Sequence, residues 1–202
     1  MKKTFYVLVL AIISFTSSAQ REEGEEKRGF NKENLFTGGS ITASFANSTT
    51  VLGASPVLGY NITNWLDAGV VLNFTYFVDR HFIGDDKFKQ TVFGPGVFAK
   101  IYPLKFLFIQ AQGEHNFSRQ RLIYDDGSPS QKYKASAFSF LVGGGYCSGR
   151  ESKGSTFYYI SLLFDIAKDK NSPYVEQLSS GNVNILPILR AGMQISLKGL
   201  FK

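Results

Sequence analysis

Apolar side chains recur at every second position through most of the chain after residue 34, and this period of two restricts the fold more than any other feature. In residues 66–77 the apolar positions are Leu66, Ala68, Val70, Leu72, Phe74 and Tyr76. Small and polar residues predominate between them. A helix would repeat after about 3.6 residues, and 20 scattered glycines disfavour long helices. The pattern predicts an all-β protein.

Eight such runs follow one another, each long enough for a tilted membrane strand of about 9 to 11 residues. They cover 34–46, 51–62, 66–78, 91–102, 106–119, 135–147, 157–167 and 185–201. Short connections at 61–65, 102–106 and 148–156 alternate with longer polar ones at 79–90, 120–134 and 168–184, and only the hairpin at 47–50 breaks this alternation. We predict a closed antiparallel up-and-down transmembrane β-barrel of about eight strands, with periplasmic turns and extracellular loops.

Alternation alone does not separate a lipid-facing barrel from a soluble one, which is apolar inside. Here the apolar rows carry large side chains, whereas the opposite rows are small and polar with too few charges for a water-facing surface. The residues expected outside are Leu72, Phe74, Ile160, Leu162, Phe164, Met193, Ile195 and Leu197. Those expected inside are Asn73, Thr75, Asp165, Arg190 and Gln194.

Aromatic residues gather near the predicted strand ends, where membrane proteins place a girdle at the lipid–water interface. The predicted girdle consists of Tyr60, Trp65, Tyr102, Phe106, Tyr146, Phe157, Tyr158 and Phe201. The alternative explanation is that aromatic residues favour strands in general.

Six charged residues fall on the predicted inner face: Asp67, Lys100, Glu114, Asp165, Arg190 and Lys198. They form either a structural plug of salt bridges or a gated ion path. We prefer the plug, because an eight-stranded lumen is just wide enough for side chains. Buried charges are costly unless they are paired, so Arg190 is expected within hydrogen-bond reach of Asp165 first and Glu114 second.

The first 19 residues have the order of a secretory signal: Lys2 and Lys3, an apolar run over 5–14, and Ser17-Ser18-Ala19. The apolar run of about ten residues is too short for a spanning helix, which needs about 20. We predict cleavage after Ala19, with residues 20–33 as a flexible charged segment and 34–202 as the barrel domain. Gln20 follows the predicted cut in place of the cysteine of a lipoprotein.

Composition excludes several classes of function. The chain has 22 basic and 16 acidic residues, and the signal removes two of the bases, so the mature net charge is +4. Basic residues stand singly along the sequence without a sustained patch, which disfavours a nucleic-acid partner. Cys147 is the sole cysteine, and His81 and His115 are far apart, so we expect no disulfide, metal site or cofactor.

The segment from Asn34 onward resembles the small eight-stranded outer-membrane β-barrel family. Residues 192–201 are similar to the C-terminal signal read by the barrel-assembly machinery, and residues 60–66 resemble a periplasmic turn of such barrels. The Lys-Lys start and the junction at 18–20 resemble exported proteins of the Bacteroidota. The resemblance implies a bacterial outer-membrane location, with outer-membrane lipid, lipopolysaccharide and the assembly machinery as partners. We expect a monomer.

Three functions remain open at this point. The first is a non-enzymatic barrel with a structural or loop-mediated binding role, without catalytic residues. The second is a lipid-modifying enzyme similar to lipid A deacylases, which use a His and a Ser two residues apart. His115 and Ser118 are three apart, so on a strand they would face opposite sides. The third is a soluble barrel that holds a ligand.

Overall fold

The computed structural model describes residues 30–46, 49–81, 84–151, 154–177 and 182–201. The predicted signal peptide and residues 20–29 of the predicted charged segment lie outside these ranges. From Asn31 onward, the described residues belong to one compact unit.

Eight long strands form a closed barrel, and a two-stranded hairpin lies within its last connection. The barrel strands are β1 (Leu35–Ala46), β2 (Thr49–Asn61), β3 (Leu66–Asp79), β4 (Lys87–Leu104), β5 (Leu107–Ile123), β6 (Gln131–Ser148), β7 (Phe157–Asp165) and β10 (Ile188–Ser196). The hairpin consists of β8 (Val175–Gln177) and β9 (Val183–Ile185). Every strand pairs antiparallel with its neighbours around the barrel, and β1 closes it against β10. The predicted all-β, up-and-down, eight-stranded barrel is confirmed.

The connections define two ends of the barrel. The basal end has the short connections, at 62–65, 105–106 and 149–156. The loop end has the connections at 80–86 and 124–130, and the long one at 166–187 that contains β8 and β9.

Two strands start earlier than predicted, because β4 begins at Lys87 and β6 begins at Gln131. Their polar first residues resemble a loop in the sequence, but both segments pair with the end of β5. Backbone pairing satisfies the N–H and C=O groups whatever the side chains are, so the ladders continue through this polar segment.

The last strand is shorter than predicted, because β10 ends at Ser196 and residues Lys198–Phe201 form a 3₁₀ turn. Ser196 pairs with Phe36, one residue after β1 begins, so no partner strand remains beyond this point. Lys198 is therefore not an interior residue, and the prediction that placed it there is wrong. Its ammonium lies 3.5 Å from the Glu33 carboxylate, and the Lys198 side chain is 58% exposed.

Each strand turns one face inward and the other outward, as its alternation requires. Leu72 and Phe74 are 43% and 46% exposed, whereas Asn73 between them is 2% exposed. Ile160, Leu162 and Phe164 are exposed in the same way, and Met193, Ile195 and Leu197 are partly exposed. Asp165, Arg190 and Gln194 are buried, and Thr75 is partly buried.

Three glycines let aromatic rings and neighbouring strands pack closely in the barrel. A Cβ atom at Gly59 would overlap the fully buried ring of Phe36. A Cβ atom at Gly145 would lie 2.6 Å from the Phe108 ring, and one at Gly143 would overlap the Leu162 carbonyl oxygen on β7. The glycines of β6 therefore allow close packing against Phe108 and β7.

Candidate functional site

A buried ion pair closes the basal end of the barrel. Arg150 donates from Nη1 to Asp67 Oδ2 at 2.7 Å and from Nη2 to Asp67 Oδ1 at 3.1 Å. Asn61 and Gln194 donate side-chain amide hydrogens to the same carboxylate, at 2.7 and 3.2 Å. Asp67 is fully buried and Arg150 is 5% exposed, so this two-pronged pair is shielded from water.

Arg150 reaches this position from the 149–156 connection rather than from a strand. Its guanidinium lies 3.6 Å from the centre of the Tyr102 ring and donates to the Asn64 carbonyl oxygen at 3.2 Å. One side chain thereby joins two basal turns to the barrel wall. Sequence reasoning missed Arg150, because it lies outside the period of two and only the folded turn brings it inside.

Lys100 is buried inside the barrel among aromatic rings. Its ammonium lies 4.0 Å from the centre of the Tyr159 ring, 5.1 Å from that of Phe108 and 5.5 Å from that of Phe98. In the described part of the chain, no carboxylate oxygen lies within 4.0 Å of this ammonium. Ring quadrupoles thus provide its nearest stabilising contacts.

A row of polar side chains runs along the inner face of β5 and starts at Gln110, which pairs with Lys100. Gln110 donates to Gln112 at 2.9 Å, and Gln112 donates to a Glu114 carboxylate oxygen at 2.6 Å. Asn116 donates to the other Glu114 oxygen at 2.9 Å. Alternate positions of one strand therefore form a continuous hydrogen-bonded chain around a buried carboxylate.

Arg190 joins this row instead of pairing with an acid. Its Nη1 donates to Gln112 Oε1 at 3.3 Å, and no carboxylate oxygen of the described residues is within 4.0 Å of the guanidinium. The prediction that Arg190 pairs with Asp165 or Glu114 is wrong. Asp165 instead accepts from the backbone N–H groups of Phe140 and Ala167, at 3.0 and 3.1 Å, and from a serine hydroxyl.

The long connection at the loop end inserts two side chains into the barrel, Ser172 and Tyr174, which we call the loop plug. The Ser172 hydroxyl donates to Asp165 Oδ2 at 2.6 Å and lies 3.0 Å from the Ser139 hydroxyl. The Tyr174 hydroxyl accepts a hydrogen bond of 2.6 Å from the Asn73 amide. Both plug residues are buried, so Asp165 acts as an anchor for the loop.

Five of the six predicted interior charges are buried: Asp67, Lys100, Glu114, Asp165 and Arg190. With Arg150 in the place expected for Lys198, the interior still holds three acids and three bases. The void beside Lys100 and Arg190 is about 10 Å³, which is room for one water at most. Side chains fill this level of the barrel.

Four of the predicted girdle residues are exposed at the basal end, and they are Trp65, Phe106, Tyr146 and Tyr158. Tyr60 is partly buried and its hydroxyl accepts from the Asn31 backbone N–H at 3.1 Å. Tyr102 and Phe157 are 6% and 2% exposed, so their assignment to the girdle is wrong. Tyr102 has the parity of Lys100 and therefore points inward. The side chain of Phe201 lies outside the described part of the structure.

His115 and Ser118 do not form a catalytic pair. His115 is exposed and its ring packs against Phe117 with 4.8 Å between centroids, whereas Ser118 is 2% exposed. They face opposite sides of β5, so no proton can pass directly between them. His81 lies 3.7 Å from Asp85 in an exposed loop. Among the described residues, no three His, Cys, Asp or Glu side chains come together as metal ligands.

No protein-family model matches the chain, and no curated protein matches it either. Within the described residues, no helix has the length and apolar character that are needed to cross a membrane.

Proposed function

We propose that the chain is an integral barrel of a bacterial outer membrane, exported through a cleaved signal peptide. Its role is non-enzymatic, either structural or in binding through the loops. The observation that carries this proposal is the inverted polarity of the barrel. Charged side chains are buried, whereas outward residues such as Ile41 and Val97 are 66% and 62% exposed.

Water is a poor solvent for such an outer surface. Exposed apolar patches of soluble monomers rarely exceed a few hundred Å². Large apolar side chains are exposed on all eight barrel strands described, from Ile41 on β1 to Leu189 on β10. Lipid would cover this surface, and barrel closure satisfies every strand edge.

The interior supports a plugged barrel over a pore. The basal pair, the β5 row and the loop plug all lie inside the barrel, and the void beside Lys100 and Arg190 is about 10 Å³. The same filling disfavours a soluble barrel that holds a ligand in its interior, because a ligand site there would normally need about 300 Å³ or more. The opposite facing of His115 and Ser118 disfavours a lipid A deacylase.

Cell fractionation tests the location. The full chain is expressed in a Gram-negative host, and membranes are washed with alkaline carbonate before extraction with detergent. We expect the protein in the detergent extract, with Gln20 as its first residue by mass spectrometry, and a gel band that shifts on boiling. Recovery as a stable monomer in buffer without detergent would contradict the membrane location.

Lipid A mass spectrometry tests the non-enzymatic role. Lipid A from cells with and without the protein should give the same spectrum. Loss of an acyl chain only in cells that produce the protein would support the enzymatic alternative, and His115→Ala would then abolish the change.

A further inference from the structure

Six cationic side chains meet on the outer face of the barrel near its loop end. They belong to the neighbouring strands β4, β5 and β6, and they are Lys87, Lys89, Arg119, Arg121, Lys132 and Lys134. All six are at least partly exposed. Along the chain these cations form three separate pairs, at 87/89, 119/121 and 132/134, and strand pairing brings the three pairs together.

Strand pairing arranges most of these cations in two rows. In the upper row, Lys89 pairs with Arg121, which pairs with Lys132 on its other side. In the lower row, one step nearer the middle of the barrel, Arg119 pairs with Lys134. Like charges directly opposite each other in a sheet are destabilising.

Within the described ranges, no carboxylate forms an ion pair with these cations. For the six cations, the described residues provide no carboxylate oxygen within 4.0 Å of any ammonium or guanidinium group. An external anion would therefore both stabilise the patch and be bound by it.

A row of exposed aromatic side chains lies directly below the cations, toward the middle of the barrel. Phe93 and Phe117 pair with each other and are 39% and 49% exposed. Phe138, which is 52% exposed, lies one step farther from the cations and pairs with His115. A cavity of about 1080 Å³ has Phe93, Phe117, Arg119 and Lys134 in its lining. Phe93, Phe117 and the lower cationic row thus border one concave surface.

We propose that this surface binds the phosphate-bearing headgroup of an outer-leaflet glycolipid of the lipopolysaccharide type. The cations bind the phosphate, because an arginine side chain can donate two parallel hydrogen bonds to it. The acyl chains lie against the aromatic row. A soluble anion would use the cations but not the aromatic row. The proposal rests on the outer-membrane location proposed above, and it adds a particular site and the phosphate group that the site recognises.

The test uses the full-length mature barrel in phosphatidylcholine nanodiscs. Binding of bisphosphorylated lipid A is compared with binding of enzymatically dephosphorylated lipid A that has the same acyl chains. Each cation near a lipid surface contributes about fivefold to affinity, so the Arg119→Gln/Lys134→Gln variant should bind the phosphorylated form about 25-fold more weakly. Lys105→Gln/Lys168→Gln, which removes two exposed cations elsewhere, should bind as the wild type does.

The outcomes separate the two proposals. Equal wild-type affinity for both lipid A forms would overturn the lipid site, and this comparison needs no variant to fold. An Arg119→Gln/Lys134→Gln variant that binds phosphorylated lipid A as tightly as the wild type does would also overturn it. So would a wild-type barrel that binds soluble heparin but shows no preference for phosphorylated over dephosphorylated lipid A. The heat-shifted gel band is checked first. A chain that never inserts into bilayers contradicts the outer-membrane proposal. An inserted barrel that binds both lipid A forms equally contradicts only the lipid site.

Discussion

Arg150 and Asp67 are 83 residues apart in the chain and share two hydrogen bonds, of 2.7 and 3.1 Å, inside the basal end of the barrel. The pair connects the 149–156 turn to the start of β3. Asp67 also accepts hydrogen bonds from Asn61 and Gln194, so its carboxylate joins β2, β3, β10 and the 149–156 turn.

Removal of the cation from this pair should be strongly destabilising. Arg150→Met leaves Asp67 charged and buried, which typically costs about 3 to 5 kcal/mol. Urea unfolding in lipid vesicles measures the free energy of unfolding. Lys105→Met, at an exposed position of the same end, should change it little. Arg150→Met/Asp67→Leu should regain part of the loss, and a double variant no more stable than Arg150→Met would contradict a charge-based cost.

Loss of the buried Lys100 charge should have a smaller effect. No carboxylate of the described residues is paired with Lys100, so Lys100→Met strands no partner. Cation–π contacts in a desolvated site are worth about 2 kcal/mol. Their loss is offset because the variant no longer pays the desolvation penalty of the buried ammonium group. We expect the free energy of unfolding to fall less than in Arg150→Met. The opposite order would show that the Lys100 charge is paired in the folded state.

The loop plug should come loose when its hydrogen bonds are removed. Ser172→Ala and Tyr174→Phe deprive Asp165 and Asn73 of partners, at about 1 to 3 kcal/mol for each buried group left unsatisfied. Limited proteolysis of the barrel in vesicles should cut the 166–187 connection faster in the double variant. Equal cleavage rates in the wild type and the variant would show that other contacts hold the loop.

Gly59 should tolerate no side chain. The methyl group of Gly59→Ala would overlap the Phe36 ring. We therefore expect a smaller fraction of folded barrel when unboiled samples are run on a gel. Gly113→Ala is the matched control, because its added methyl group would meet the Phe138 ring at 3.6 Å, an ordinary contact distance. Equal folded fractions for both variants would contradict the packing role of Gly59.

The barrel itself follows from the sequence because alternation acts locally and repeats eight times. Asn73 between Leu72 and Phe74 already indicates which side of β3 is inside. Tyr102 could have been placed correctly by the same parity, since it lies two residues from Lys100. Its assignment to the girdle came from its position at a strand end alone.

The rest depends on contacts between distant segments. Arg150, Ser172 and Tyr174 come from connections without periodicity, so no sequence pattern marks them as interior residues. The cationic rows depend on the register between strands, because Arg119 meets Lys134 only when β5 and β6 pair as they do. Asp165 was correctly placed on the inner face, but its partners in the loop and backbone could not be inferred.

The length of the backbone pairing between neighbouring strands differs around the barrel. The β5–β6 ladder has 16 residue pairs, whereas the β1–β10 ladder, where the first and last strands meet, has six. This junction is the shortest ladder of the closed sheet, so fewest backbone hydrogen bonds resist its separation. If the wall parts sideways, whether during insertion into a bilayer or under mechanical force, β1 and β10 form the seam that separates first.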